Sequence, residues 1–191
     1  MAAVRILGID PGTVVVGFAC LEVVERSRPT ATGGLPLAQR AGNVVTLGSI
    51  GAASDCSVLE VGVWRLGRGK ALAARLGALS IELEAALDRL RPDELALEEA
   101  FFGKSVQSAM RVGEARGVVL ASGHRHGVQI HEYPPARIKR AVAGSGNASK
   151  ETVAAFTARQ LGLASIDGPS DASDALATAL CRVEERRGFA R

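Results

Sequence analysis

"RILGIDPGTVVVGF", residues 5–18, carries an apolar run into a single carboxylate, breaks at Pro11-Gly12 and resumes as a second apolar run. The first run has the aliphatic, β-branched make-up of a buried strand, which puts Asp10 where that strand ends. The turn is short enough to make the two runs antiparallel neighbours. An ionised carboxylate at such a place needs hydrogen-bond donors, a cation or a metal beside it. The fold is decided by what the rest of the chain delivers to Asp10.

Strands are expected at 4–9, 14–24 and 43–50, forming an antiparallel trio, with a further strand in "SVLEVGVWR" at 57–65. The segment 25–41, rich in Pro and Gly, reads as an exposed insertion. From Gly69 to Leu90, leucines at 72, 76, 79, 83 and 87 recur at spacings of three and four, predicting an amphipathic helix that ends at Arg91-Pro92. "ELALE" at 94–98 is a short buried strand, followed by a helix over 105–125 and a strand, "VQIHEY", at 128–133. Pro134-Pro135 opens a short helix through Ala141, and two more helices follow at 149–161 and 170–188. The pattern predicts one α/β domain spanning 1–191, a five-stranded mixed sheet flanked by helices, with 186–191 as a tail.

Composition narrows the class. The 191 residues are 47% hydrophobic and 23% charged, ordinary for a globular domain and unlike a disordered or fibrous chain. Cys20, Cys56 and Cys181 form no CxxC pair and sit in apolar stretches, as reduced packing residues do, and no apolar run approaches a membrane span. A cytoplasmic protein is expected. The net charge is only +3, but residues 80–103 carry seven acids against Arg89 and Arg91, while 104–159 carry nine Lys or Arg against three Glu. Such a basic block suits a polyanion such as nucleic acid.

Three further acids occupy strand-end or helix-start positions: Glu98 closes "ELALE", and Asp171 and Asp174 open the last helix. Ligands of open α/β sheets gather outside the carboxyl ends of parallel strands, so the four acids converge if the last helix begins there. Clustered carboxylates repel unless they share a proton or a cation, and an all-oxygen set suits Mg²⁺ or Mn²⁺. Taken singly, each acid has a plainer account. Asp10 can bond its own turn, Glu98 can be an exposed strand end, and Asp171 and Asp174 can serve a helix's first turn.

"ILGIDPG", "LALEEAFFGKS", "ARGVVL", "AVAGSGNASKETV" and "DASDALATAL" stand in an order and spacing that resembles the RuvC family of bacterial Holliday-junction resolvases, from Arg5 to about Cys181. The resemblance implies a ribonuclease-H-like fold, a homodimer, and divalent-metal-dependent nicking of four-way DNA in recombination and repair, leaving 5′-phosphate and 3′-hydroxyl ends. It carries the metal and catalytic roles onto Asp10, Glu98, Asp171 and Asp174, with two Mg²⁺ per site and Mn²⁺ as a substitute. Branch-migration motor proteins are implied as partners, and no membrane. Val14 and Val16 stand where the family's first turn is more polar.

For DNA, two adjacent rings among few aromatics, Phe101 and Phe102, follow Glu98 and are suited to stacking on an unpaired base. Lys104, Arg111, Arg137, Lys139, Arg140 and Lys150 are the candidate phosphate contacts, Lys139 and Lys150 foremost because they fall inside matched motifs. Ala109, Gly113, Gly117 and Ala121 recur every four residues and form a stripe of small side chains, suited either to close packing on the protein's own sheet or to a subunit interface. Two other readings compete. "GIDPGT" also resembles the first phosphate loop of actin-like ATPases, which need a second such domain, and a noncatalytic junction-binding protein would use the basic surface alone.

Overall fold

The computed structural model describes residues 3–24, 39–41, 44–46, 55–99, 106–166 and 168–188. In chain order the elements are β1 (Ala3–Asp10), β2 (Val15–Val24), β3 (Gln39–Ala41), β4 (Val44–Thr46), β5 (Cys56–Arg65), α1 (Leu72–Leu90), β6 (Glu94–Glu98), α2 (Val106–Arg125), β7 (Gln129–Tyr133), α3 (Pro135–Ala143), α4 (Lys150–Gln160) and α5 (Ser170–Arg186). The strands form one mixed sheet in the order β3-β4-β5-β2-β1-β6-β7. Its body is five strands, β5, β2, β1, β6 and β7, with the further strand expected at 57–65 taking the place beside β2 that 43–50 was expected to hold, and two three-residue strands extend one edge.

β1 and β2 are antiparallel with Asp10 opposite Gly17, whereas β1 and β6, and β6 and β7, run parallel. The expected antiparallel trio of 4–9, 14–24 and 43–50 does not form. The partner of β2 is β5, paired from Val15↔Arg65 to Val23↔Cys56, and not the 43–50 segment. Of that segment, 44–46 forms β4, and 43 and 47–50 lie outside the described residues. β5 offers β2 a long ladder and is itself buried on both faces from Glu60 to Trp64.

Alternation along the central strands divides the core in two. Ile6, Ala19 and Leu21 face α5, α3 and α4, while Leu7, Ile9, Phe18 and Cys20 face α1 and α2. On the second face Phe18 stacks on Trp64 with ring centroids 4.5 Å apart. α1 stops where the sequence indicates: Arg91 turns left-handed (φ 47°), its amide donates to the Leu87 carbonyl, and Pro92 follows. The three cysteines are buried, and none is in a disulfide. No helix among the described residues is long and apolar enough to cross a membrane.

The small-residue stripe of α2 does not pack on the sheet. The buried face of that helix is Ala115, Val119, Ser122 and Gly123, whereas Gly113, Gly117 and Ala121 are exposed and Ala109 half-buried. A Cβ on Gly113 or Gly117 would meet nothing within 4 Å. Both faces of α2 are rich in small residues, so a period of about four cannot by itself select the inward one.

Candidate active site

Parallel pairing places the first two acids side by side. Ile9 is opposite Leu97, so Asp10 and Glu98 each lie one residue beyond a matched pair, at the same end of adjacent strands. The other two acids arrive on α5, which lies directly against backbone because the strands carry glycine there. A Cβ on Gly17 would sit 1.9 Å from the Asp171 carbonyl oxygen, and one on Gly8 would sit 2.3 Å from that of Ala175. A side chain at either position would lift the helix and its acids off the sheet.

Asp10, Glu98 and Asp174 line one cleft of about 110 Å³, together with Lys139 of α3 and Lys150 of α4. Lys150 Nζ donates to Asp174 Oδ2 at 2.6 Å. Asp171, half-buried in the first turn of α5, is one of the charges acting on Asp10. Neither acid caps the helix, whose N-cap is Pro169 with no side-chain cap bond, while Asp171 does lie in its first turn.

Electrostatics expose the tension in the cleft. Burial, then the charges of Glu98, Asp174 and Asp171, drives the Asp10 carboxyl far above the ordinary carboxylate range, with Lys150 opposing. Burial and Asp174 raise Glu98 as well, and a hydrogen bond with Asp10 opposes that rise. The hydrogen bond to Asp174 raises Lys150. These acids are held close at a cost that one proton or one hard cation relieves. Among the described residues no three His, Cys, Asp or Glu are already drawn into a finished ion cage. The donor chemistry, oxygen only and anionic, nevertheless fits Mg²⁺ or Mn²⁺.

The remaining candidates fall in different places. Arg137 is engaged by Glu185 and lies over the Tyr133 ring at 5.5 Å, so its charge is largely used within the fold. Arg111 and Arg140 are exposed on α2 and α3. Phe101, Phe102 and Lys104 lie outside the described residues.

Several positions that the sequence reading passed over also shape the site. Arg116 of α2, which lies inside the quoted "ARGVVL" motif, donates to the Glu98 carbonyl and to the Glu132 carboxylate, tying the end of β6 to the helix. Arg75 of α1 donates to the carbonyl and hydroxyl of Thr13, at 2.9 and 3.3 Å, fastening the turn after Asp10. Gly8 and Gly17 carried a usable signal, since an isolated glycine within an apolar strand marks close backbone approach.

Residues 33–182 match the family model described as crossover junction endodeoxyribonuclease RuvC. A crossover junction endodeoxyribonuclease RuvC from Chloroflexus aurantiacus is 39% identical over 177 residues, 93% of this chain and 91% of that one. Thermus thermophilus RuvC, solved in complex with a Holliday junction substrate, superposes with a TM-score of 0.75 at 30% identity, covering 98% of each chain. The yeast mitochondrial Holliday junction resolvase, at 12% identity and a TM-score of 0.62 over 97% of this chain and 80% of that one, shares the fold. With matches of this extent in both family model and full-length relatives, the chain belongs to the RuvC family of crossover junction endodeoxyribonucleases.

Proposed function

We propose that this endonuclease resolves four-way DNA junctions by paired, symmetric, metal-assisted hydrolysis, and that 1–191 acts as one nuclease domain. The observation that carries the reading is the meeting of Asp10, Glu98 and Asp174 in one cleft flanked by Lys139 and Lys150. Asp10, Glu98, Asp171 and Asp174 would hold the cations, two Mg²⁺ per site with Mn²⁺ as a substitute. Bound ions of this kind activate water and stabilise charge on the phosphoryl and leaving oxygens.

The chain's own residues do the rest. Rigid β1 and β6 fix the spacing of Asp10 and Glu98, and Arg116 holds the Glu98 carbonyl. Lys139 and Lys150 offset acid charge at the rim, so that a phosphate approaches an edge that is not purely anionic. Phe101 and Phe102 follow Glu98 in sequence and are assigned to stacking on a base at the crossover. Arg111, Arg140 and Lys104 are assigned to the backbone of the arms.

Two nicks on strands of like polarity need two sites related by a twofold axis, which a homodimer supplies. The bare face of α2 supports that assembly: Val106 and Met110 are 69% and 63% exposed, and Gly113, Gly117 and Ala121 continue the same helix. Branch-migration motors are assigned as partners on family grounds alone. The test is a nicking assay on four-way and linear DNA. Paired nicks on four-way DNA in Mg²⁺ and none in EDTA are expected; intact four-way DNA in both Mg²⁺ and Mn²⁺ overturns the reading.

A further inference from the structure

A second basic element lies on the edge of the sheet that carries the acids, and none of the roles above uses it. β5 ends in "RLGRGK", residues 65–70. Arg65 is opposite Val15, and the Leu66 amide donates to the Val14 carbonyl at 2.9 Å, so this loop leaves the sheet at the same end as Asp10. Across that edge the strand order β5-β2-β1-β6-β7 puts the loop on one side of the two acid-bearing strands. α3, with Lys139, follows β7 on the other side. Two strand spacings separate β5 from β1, about 10 Å.

The loop's charges are uncommitted. Arg65, Arg68 and Lys70 are exposed, and no ion pair engages any of them among the described residues, whereas Arg5, Arg89, Arg116, Arg125 and Arg182 each hold a carboxylate. The backbone beneath is shaped. Gly67 and Gly69 both have φ 94°, a conformation that side chains rarely adopt, and the Lys70 amide donates to the Gly67 carbonyl at 3.2 Å. Independently, Arg75 is nine-tenths buried, and among the described residues its guanidinium bonds only the carbonyl and hydroxyl oxygens of Thr13 and leaves Nε without a partner. A buried guanidinium with no carboxylate adds positive potential to the same edge.

We infer that the 65–70 loop is a phosphate-backbone clamp for the DNA arm that leaves the cleft on the β5 side. An acid-lined cleft repels a polyanion, and cations on only one flank would leave the emerging strand unsupported. With Lys139 and Lys150 on one side and Arg65, Arg68 and Lys70 on the other, the strand crosses the sheet edge with positive charge before and after the acids. The inference rests on the junction-cutting reading above and adds to it the path of the DNA.

The experiment is equilibrium binding of four-way DNA in EDTA across a salt series, for wild type, the triple variant Arg65→Ala/Arg68→Ala/Lys70→Ala, and Arg91→Ala at the opposite end of the sheet. Each phosphate contact contributes about 0.9 to the slope of log affinity against log salt. The triple variant is expected to lose about 2 to 3 from that slope and to bind at least ~10-fold more weakly near 0.1 M salt. Arg91→Ala should match wild type, and Arg65→Lys/Arg68→Lys should keep the wild-type slope. An unchanged slope in the triple variant, with steep wild-type dependence, removes the loop from the interface and leaves the junction-cutting reading standing. Wild type that fails to bind four-way DNA overturns both.

Discussion

The two faces of the sheet are built by opposite means. On the α5 face, Gly8 and Gly17 meet helix backbone, and the helix contributes Ala172, Ala175 and Ala179, so strand and helix touch almost without side chains between them. On the α1 and α2 face, Phe18 stacks on Trp64, and Leu79, Leu83 and Leu87 fill the layer. Side-chain packing supplies bulk burial and tolerates adjustment; backbone contact sets a distance that has no slack. The acids of α5 belong to the first kind of face. The second face stays back at side-chain distance and leaves the outer side of α2 bare.

Substitutions on the two faces should have different consequences. Gly17→Ala puts a methyl group on the Asp171 carbonyl, so α5 must move. We expect a destabilisation of about 2–3 kcal/mol, with nicking of four-way DNA reduced at least ~100-fold in the protein that remains folded, since a misplacement of ~1 Å already costs that much. Leu83→Ala empties a fully buried site on the opposite face and should cost about 2–5 kcal/mol. Its folded fraction should still nick at the wild-type rate. Urea unfolding with nicking assays on both variants checks the pair; equal losses of activity would erase the distinction between the faces.

A smaller effect concerns acid. Glu94, buried at the start of β6, is gripped by Arg182 Nε at 2.7 Å and Arg186 Nη1 at 2.6 Å. Burial alone would raise its carboxyl, but the hydrogen bond and charge of Arg182 and the charge of Arg186 outweigh it and hold the group below its ordinary value of 4.5. A depressed folded value means that its stabilisation is complete above about pH 4.5 and disappears as pH falls through the folded value. Glu94→Gln should therefore be less stable at neutral pH and lose less stability than wild type on acidification below about 4.5. Parallel stability-against-pH curves for the two proteins would contradict this.

The smallest effect on stability is expected at Gly113→Leu. Its Cβ meets nothing within 4 Å, and replacing a mid-helix glycine should stabilise the fold slightly, by no more than about 1 kcal/mol. Sedimentation should nevertheless show a lighter species, with single nicks replacing paired ones. A folded Gly113→Leu protein that remains dimeric and nicks in pairs would free that face from the interface.

Much of this was legible in the sequence for local reasons. Apolar strands ending in Asp10 and Glu98, and a helix opening with Asp171 and Asp174, are written in contiguous residues, and parallel pairing brings the first two together. What escaped depends on partners distant in the chain. The pairing of β2 skips over 25–55 to reach β5. Arg116 and Arg75 look like ordinary helix-surface charges until the Glu98 and Thr13 carbonyls are in place. The direction of the α2 stripe was undetermined because the face that does pack, with Ala115 and Gly123, is small as well.

Asp10→Asn decides whether Asp10 belongs to a cation-holding cluster or only to its own turn. Binding and nicking of four-way DNA are measured side by side, binding in EDTA and nicking in Mg²⁺ and in Mn²⁺. The variant keeps the shape of the side chain but cannot offer a cation an anionic oxygen, so binding in EDTA should equal or exceed that of wild type while nicking is abolished with either metal. Nicking by Asp10→Asn at the wild-type rate would contradict the account.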